Sequence, residues 1–230
     1  MARSFSQIVW NGKYAFHSSG VLSSDSLASL RDAGAYVASV HPLMTFIKGS
    51  VPELKNVPFA IEGDTSAVNV ARKIVRGLGG KAVAIRKKDK VAYHAFATMI
   101  CPLLVALLTA AERTAGLAGI PQKDVRRRMM PILRQTLRNY EKVGPARAFS
   151  GPIVRGDVKT IELHLKVMAT APDIKDVYIA LAQAALRQLP TRKWREIERT
   201  LAAESMAHRF GKARNRRERA EKSRDRREMR

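Results

Sequence analysis

Lys90 and His94 are the two side chains whose types and spacing are best suited to proton transfer. They lie four residues apart in a segment with the apolar spacing of a helix, and residues four apart share one face of a helix. Oxidation of an alcohol requires a base near neutral pH, which histidine supplies without a large change in its pKa. A structural interpretation stays open: Lys90 ends the basic run RKKDK, and His94 is a hydrogen-bonded packing residue.

His41 is a second candidate, because His41-Pro42 follows an apolar run that we predict to be a strand. Open parallel sheets bind ligands beyond the carboxyl ends of their strands, so we expect His41 to contact the substrate. The alternative is a turn in which the histidine hydrogen-bonds the backbone. The turn Ser18-Ser19-Gly20 lies at the end of the neighbouring predicted strand, but serine and glycine are common in turns.

The segment from Ser150 to Asp157, SGPIVRGD, is a candidate anion site. Its glycines leave backbone amides free near a helix start, and Arg155 adds a planar cation suited to a carboxylate. Ser150 and Arg155 are therefore candidate substrate-binding residues. A helix–helix turn with Asp157 as N-cap explains the same sequence equally well. The five histidines and one cysteine show no metal-ligand spacing, so we predict no metal site.

Strands alternating with helices over residues 13–86 predict α/β architecture with a mainly parallel sheet. The predicted strands are 14–17, 36–40, 59–62 and 81–85, and the predicted helices between them are 26–33 and 67–78. From Lys87 onward the pattern is wholly helical. The predicted helices there are 87–118 with a kink at Pro102, 121–143, 157–169 and 172–189.

The formal net charge of +22 favours contact with polyanions, although a solvated basic surface explains it as well. Residues 191–230 hold 15 Lys or Arg against 7 Asp or Glu, and we predict a charged helix or a disordered tail there. This tail is a candidate contact for an acidic partner such as RNA. Because aromatic residues are sparse in it, such binding would depend on phosphates and on salt.

Segment 95–111 is the one candidate for a membrane span, but it is short and contains Pro102. We expect instead a buried central helix, no membrane contact, and a homodimer formed through the helical region. Cys101 is the single cysteine, which excludes an internal disulfide and is typical of a reducing compartment. We therefore expect a cytoplasmic protein.

Four stretches of the chain together resemble a known family. They are HSSGVLSSDSLASLRDAGAYVASVHPLMTF (17–46), VPFAIEGD (57–64), LGGKAVAIRKKDKVAYHA (78–95) and FSGPIVRGDVKTIELHL (149–165). Over residues 10–189 the chain is similar to Rossmann-like proteins that carry the domain of unknown function 2520. These belong with the 6-phosphogluconate and hydroxyacid dehydrogenases, the prephenate dehydrogenases and the pyrroline-carboxylate reductases. The resemblance implies an NAD or NADP domain followed by a helical domain that often dimerises.

The resemblance also implies roles for individual residues. Hydroxyacid dehydrogenases of this clan use a lysine, followed four residues later by asparagine, as proton donor or acceptor; KVAYH is similar, with His94 in place of the asparagine. Prephenate dehydrogenases have a His-Pro-Met stretch in the substrate pocket, similar to the segment beginning at His41. The turn Ser18-Ser19-Gly20 corresponds to a region that approaches the nicotinamide and ribose, which makes these three residues candidate cofactor contacts.

The chain departs from the family at its amino-terminal side, because the first strands are missing and no G-x-G-x-x-G occurs. We therefore expect a partial Rossmann-like domain (1–86), a helical domain (87–190) and a basic tail (191–230). We also expect the cofactor domain to be truncated and to bind the cofactor weakly. Either the chain is a fragment of a longer protein, or the glycine-rich part has genuinely been lost. Two functions stay open. One is an NAD(P)-dependent oxidoreductase-like protein acting on a small carboxylated substrate, and the other is a non-catalytic dimer whose tail binds RNA.

Overall fold

Four short strands form one sheet in the computed structural model, which describes residues 9–205 of the chain. The strands are β1 (Tyr14–His17), β2 (Tyr36–Pro42), β3 (Pro58–Gly63) and β4 (Lys81–Ala84), side by side in that order. Tyr14 pairs with Tyr36, and Phe59 pairs with Ala82. The four predicted strands are thus adjacent rows of one sheet, as the alternation of apolar runs and turns indicated.

The sheet is mixed, where the sequence pattern predicted a mainly parallel one. β1 and β2 are parallel, as are β3 and β4, but β2 and β3 are antiparallel, with Ser39 opposite Glu62. Parallel neighbours require a crossover connection, usually a helix. Residues 43–57 form neither helix nor strand, so the chain turns back and re-enters the sheet in the opposite direction.

β2 runs two residues beyond its predicted end, through His41 and Pro42. The amide of Leu43 donates to Pro58 O, so the alternation of an antiparallel ladder directs the nitrogen of Pro42 away from β3. The nitrogen of Pro42 faces the side of β2 that pairs with β1, and that pairing ends at His17 opposite Ser39. Because no acceptor of a neighbouring strand lies there, the missing N–H costs no hydrogen bond, and proline is tolerated at this strand end.

Helix α2 (Thr65–Gly77) covers β3 with an apolar stripe. Ala67, Ala71 and Val75 recur every four residues and are buried, as expected for the inward face of an amphipathic helix. The core between the helix and the sheet consists of Val57, Phe59, Ile61, Ala71 and Val75. A second small core surrounds Leu30 of α1 (Ala28–Asp32), which follows a 3-10 turn at Ser24–Leu27.

The long apolar segment is two helices, α3 (Lys90–Ile100) and α4 (Pro102–Leu117), after a 3-10 turn at Lys87–Asp89. Cys101 between them has φ −118° and ψ −84°, because proline lacks an N–H and clashes with the preceding turn. The predicted kink at Pro102 is confirmed.

Within residues 9–205, one helical segment, 87–117, is long and apolar enough to cross a bilayer, with a mean hydropathy of 2.0. Its two helices have 11 and 16 residues, each short of the roughly 20 that one span requires. None of the apolar window is buried inside the chain. A single copy therefore does not provide the burial that we expected for this segment.

The contacts divide the chain into two units after Val105. The second unit contains α5 (Gln122–Ala148), α6 (Pro152–Arg155), α7 (Val158–Val167), a 3-10 turn (Met168–Thr170), α8 (Pro172–Gln188) and α9 (194–205). Regular geometry in α5 is interrupted at Gly144, whose φ is 74°, next to the predicted end of this helix at Val143. The core of this unit consists of Ile161, Leu165, Ile179, Ala182, Ile197 and Leu201.

Ile197 and Leu201 of α9 are fully buried in that core. The helical spacing of Trp194, Ile197 and Leu201 is therefore confirmed, and α9 is an integral part of the second unit. The rest of the predicted basic tail, residues 206–230, lies outside the described residues.

Gly63 provides a test of the sheet geometry. Its φ is 143°, and a Cβ there would lie 2.3 Å from Val37 O and 2.6 Å from Ala38 Cα. We expect Gly63→Ala to lower the free energy of unfolding by about 3 kcal/mol, because backbone strain and overpacking act together. Urea denaturation measures this change.

Gly77→Ala is the matched control, since a Cβ at this last residue of α2 meets nothing within 4 Å. We expect this substitution to be neutral or to stabilise by up to about 1 kcal/mol. Equal stabilities of the two variants would contradict the antiparallel contact between β2 and β3.

Candidate functional site

The loop after β1 is held in place by His17. His17 Nε2 lies 3.0 Å from Ser23 O, and His17 Nδ1 accepts from the amide of Ser19 at 3.2 Å. A carbonyl oxygen only accepts, so Nε2 carries the proton of a neutral ring and Nδ1 is the acceptor. Both ring nitrogens are engaged, which makes His17 an anchor for the loop.

Lys90 begins α3, and it lies in the interior of the first unit, where it is 1% exposed. Its Nζ donates to Ser39 Oγ at 2.8 Å and to Ser19 O at 3.2 Å. Burial lowers the pKa of Lys90, and the charge of Glu62 partly opposes that shift. An ammonium whose contacts are neutral oxygens gives up its proton more readily than a surface lysine does, so Lys90 is suited to proton exchange.

The carboxylate that acts on Lys90 belongs to Glu62, which is 6% exposed. Its two oxygens accept from the amide of Ser24 at 2.7 Å and from Ser24 Oγ at 2.8 Å. Ser39 lies directly opposite Glu62 in the β2–β3 ladder, so the cation and the carboxylate approach the same pair of strands. The hydrogen bonds from Ser24 satisfy a buried charge that would otherwise be costly.

Ser24, Ser39 and Glu62 are parts of the site that the sequence pattern did not predict. A signal existed for Glu62, because it is the one charged residue in the apolar strand PFAIEG. A charged residue is rarely fully buried without a partner. The two serines carried no comparable signal.

His41 is held in one tautomer by the same loop. Its Nδ1 lies 2.9 Å from Ser18 O, so Nδ1 carries the proton and Nε2 has a free lone pair when the ring is neutral. Burial lowers the pKa of His41; the bond to Ser18 opposes this shift, and the charges of Lys90 and His94 add to it. His41 is therefore a neutral acceptor at pH 7.

Gly20 separates the rings of His41 and His94, whose centroids are 6.1 Å apart. A Cβ at Gly20 would lie 2.4 Å from His94 Cδ2 and 2.8 Å from His41 Nε2, so any larger residue displaces the rings. Within the described part of the chain, no hydrogen bond to the ring of His94 is found. The two imidazoles thus sit side by side, with ring nitrogens available to a ligand.

A pocket of about 480 Å³ opens beside these histidines. It is lined by His41, Pro42, Leu43, Met44, Thr45, Phe46, His94, Ala97, Thr98, Ile100, Cys101 and Pro102. Most of this surface is apolar, with the two imidazoles as its basic groups. The arrangement suits a ligand with an apolar body and one hydrogen-bonding end. Lys90 does not line the pocket but lies behind it, where it donates to Ser19 O. The preceding carbonyl, Ser18 O, accepts from His41.

The structure brings together six of the predicted site residues. Ser18, Ser19, Gly20, His41, Lys90 and His94 all lie in the first unit. Ser150 and Arg155 belong to the second unit and are exposed. Arg155 ends the four-residue helix α6, and Asp157 accepts from the amide of Thr160 at 3.1 Å. The interpretation of Asp157 as an N-cap is confirmed.

The residues of the predicted cofactor turn are largely engaged within the protein. Ser18 O and Ser19 O accept from His41 and Lys90, and Ser19 Oγ accepts from the amide of Leu22. Gly20 is buried against the imidazoles, which leaves the exposed Ser18 side chain for a nicotinamide or ribose. With no G-x-G-x-x-G in the sequence, the described residues do not fit a whole dinucleotide. Residues 9–205 also hold no group of three potential metal ligands.

The lowered pKa of His41 predicts a pH-dependent stability. The unfolded chain binds this proton near pH 6.5, whereas the folded chain binds it only at lower pH. The contribution of His41 to stability is therefore complete above pH 6.5 and is lost as the pH falls through the folded pKa. Between about pH 7.5 and about pH 5, an interval that includes the titration range of histidine, we expect the free energy of unfolding to fall less for His41→Gln than for the wild type. Urea denaturation at constant ionic strength measures this, and identical pH dependence in both proteins would contradict it.

Three solved structures are similar to this chain. The proposed NADP oxidoreductase BF3122 from Bacteroides fragilis has a TM-score of 0.66 and 21% identity, over 80% of this chain and 70% of its own. Protein TM1727 from Thermotoga maritima has a TM-score of 0.59 and 24% identity, over 74% and 66%. A reductive aminase from Aspergillus terreus, solved with NADPH and ethyl-5-oxohexanoate, has a TM-score of 0.51 and 10% identity, over 83% and 71%.

The chain thus spans between 66% and 71% of the length of these three proteins, and it shares their α/β fold. No curated protein sequence matches it. A family model described as Domain of unknown function (DUF2520) matches residues 57–185, which is more than half of the 230 residues. The matched region contains Glu62, Lys90 and His94. The chain is therefore a member of the DUF2520 family, with the fold of Rossmann-type oxidoreductases.

Proposed function

We propose that this chain carries the substrate pocket and the proton-transfer groups of an NAD(P)-dependent oxidoreductase. The observation that carries the proposal is Lys90, a buried amine bonded to Ser39 Oγ and Ser19 O behind a pocket that presents two imidazoles. Buried amines whose pKa is lowered and which lie beside a cleft are candidates for catalytic groups. The oxidoreductase-like fold supports the same class of reaction.

In this proposal the polar end of a small carbonyl or imine substrate lies at the histidine pair. His41 offers Nε2 as an acceptor, and His94 has a ring free to donate or accept a proton. Lys90, the second proposed proton donor or acceptor, stabilises charge from behind, and its bond to Ser19 O holds the loop whose Ser18 O orients His41. The apolar body of the substrate packs along Met44 and Phe46.

The remaining predicted contacts enter as parts of this proposal. Ser150 and Arg155 form a separate proposed site for a substrate carboxylate within the second unit, because a guanidinium matches a carboxylate with two parallel hydrogen bonds. Ser18 and its neighbours Ser19 and Gly20 would meet the nicotinamide end of NADP or NAD, which supplies hydride when it is bound. A cytoplasmic location is consistent with the single Cys101, which is free.

A titration of the purified chain with NADPH, followed by its fluorescence, tests the cofactor part of the proposal directly. Saturation would support binding of the cofactor by this chain. Absence of binding at millimolar NADPH would contradict the cofactor part of the proposal for this chain.

Lys90→Met tests the proton-transfer role. We expect kcat for NADPH oxidation, measured with a panel of 2-oxo acids and cyclic imines, to fall about 10²- to 10⁴-fold because a general acid–base group is lost. Lys88→Met is the matched control, since Lys88 is exposed two residues away and has no ion pair with a described residue. Wild-type kcat in the Lys90 variant, with circular dichroism showing intact folding, would refute the proposal.

We also propose that the protein is a homodimer, a feature common to the enzymatic and the non-catalytic function. Leu103 and Leu107 lie one turn apart on α4 and are 49% and 37% exposed. The first unit also exposes Phe96 and Met99 on α3, and the second unit exposes Ile132 and Leu137 on α5. Apolar surface of this extent in a soluble protein is typically covered by a partner. The alternative function, binding of RNA by the basic tail, rests on the charge of the tail alone.

Sedimentation equilibrium tests the homodimer. The wild type is expected at twice the mass of one chain, and Leu103→Glu combined with Leu107→Glu is expected to shift the equilibrium toward the monomer. Val51→Glu is the control, because Val51 lies in the 43–57 loop and is 97% exposed. A monomeric wild-type protein would exclude the dimer.

A further inference from the structure

All charged residues of the segment 65–88, from the start of α2 to four residues beyond β4, are basic. Residues 65–88 contain no aspartate or glutamate. Their basic residues are Arg72, Lys73, Arg76, Lys81, Arg86, Lys87 and Lys88. Like charges repel one another, and no acidic residue within this segment compensates that repulsion.

Four of these cations converge on one cleft. Arg72, Lys73 and Arg76 extend from α2, and Lys81 extends from the start of β4. The cleft has a volume of about 840 Å³, and its other walls are Asn69, Gly80 and Ala82. It lies entirely within the first unit.

The cations of the cleft differ from the basic residues next to them. Arg86 is paired with Asp89, and Lys87 is paired with Asp25. Among residues 9–205, no ion pair is found for Arg72, Lys73, Arg76 or Lys81, all of which are exposed. Four donors without a carboxylate partner are available to an anion from outside the chain.

The backbone of β4 adds a further donor. β4 is an edge strand, paired on one side with β3. The amides of Lys81 and Ile85 donate to Val57 O and Ile61 O, so the alternation along the strand directs the N–H of Ala82 toward the open edge. An outward amide beside two guanidinium groups is a suitable arrangement for phosphate oxygens.

We propose that the cleft between α2 and β4 binds the sugar-phosphate backbone of RNA without reading its sequence. Arg72 and Arg76 lie one helical turn apart, so two phosphates of one strand can be contacted together, with Lys73 and Lys81 on either side. The cleft is lined by no aromatic residue that could stack on a base. Recognition would therefore depend on charge and on salt.

The shape of the site distinguishes RNA from other anions. A bilayer surface is flat and does not enter a concave cleft, whereas a single strand does. A lone nucleotide would leave much of the charge of four cations unmatched, and it would find no stacking surface for its base. A strand with several phosphates matches the charge of the four cations that line the cleft.

Fluorescence anisotropy with a labelled oligouridine tests the proposal on the full chain. The variant combines Arg72→Gln, Lys73→Gln, Arg76→Gln and Lys81→Gln. We expect at least about tenfold weaker binding, and a slope of log K against log[salt] that is lower in magnitude by about 3, since each single-strand phosphate contact contributes about 0.7.

The matched control removes the same number of charges from the exposed surface of α5, by Lys123→Gln, Arg128→Gln, Arg134→Gln and Lys142→Gln. Both variants retain residues 206–230, so binding through that segment is equal in the two. We expect the control to retain most of the affinity and the salt slope of the wild type, and thermal melts to confirm that both variants fold.

Equal losses in the two variants would overturn the proposal, because net charge and not the cleft would then determine binding. Unchanged RNA binding in the cleft variant would also overturn it. Vesicles containing phosphatidylserine provide the last comparison: loss of vesicle binding without loss of RNA binding would assign the cleft to a membrane surface. No arm of this experiment depends on catalytic activity.

Discussion

The buried ammonium group of Lys90 is the interaction on which the first unit depends. A charge removed from water is tolerated only where hydrogen bonds replace those to the solvent, and here they come from Ser39 on β2 and Ser19 in the loop after β1. Glu62 on β3 supplies the opposing charge, itself satisfied by Ser24. One amine therefore links β2, the loop after β1 and the start of α3, and it interacts electrostatically with Glu62 on β3.

The position of the histidine pair follows from the same arrangement. Ser18 O and Ser19 O are successive carbonyls of one loop; the first holds His41 and the second holds Lys90. Gly20 then lets this loop pass against both imidazoles. A displacement of the loop would change the tautomer of His41, the hydrogen bonds of Lys90 and the shape of the pocket together. The proposed chemistry is thus a property of the loop and its partners as a group.

Much of the fold was predictable because its signals are local. Four short apolar runs bounded by turns predicted the four strands, and Pro102 predicted the break between α3 and α4. The (i, i+4) spacing placed Lys90 and His94 on one face of a helix. The direction of β3 was not predictable in this way, because it depends on how the 43–57 segment returns to the sheet. Ser39 and Ser24 were missed for the same reason, since each acquires its role from a partner more than 30 residues away.

The sequence by itself determined the positions of the strands and helices, the basic character of the chain and the presence of side chains suited to proton transfer, because periodicity, proline and charge act within a few residues. The tertiary structure alone decided which of these groups meet. It buried Lys90 while it left Arg72 and Lys81 exposed, although all three are basic residues within one short stretch of chain. Burial and pairing are set by the contacts between distant segments, and those contacts determine whether a cation is buried among neutral oxygens or exposed without a carboxylate partner.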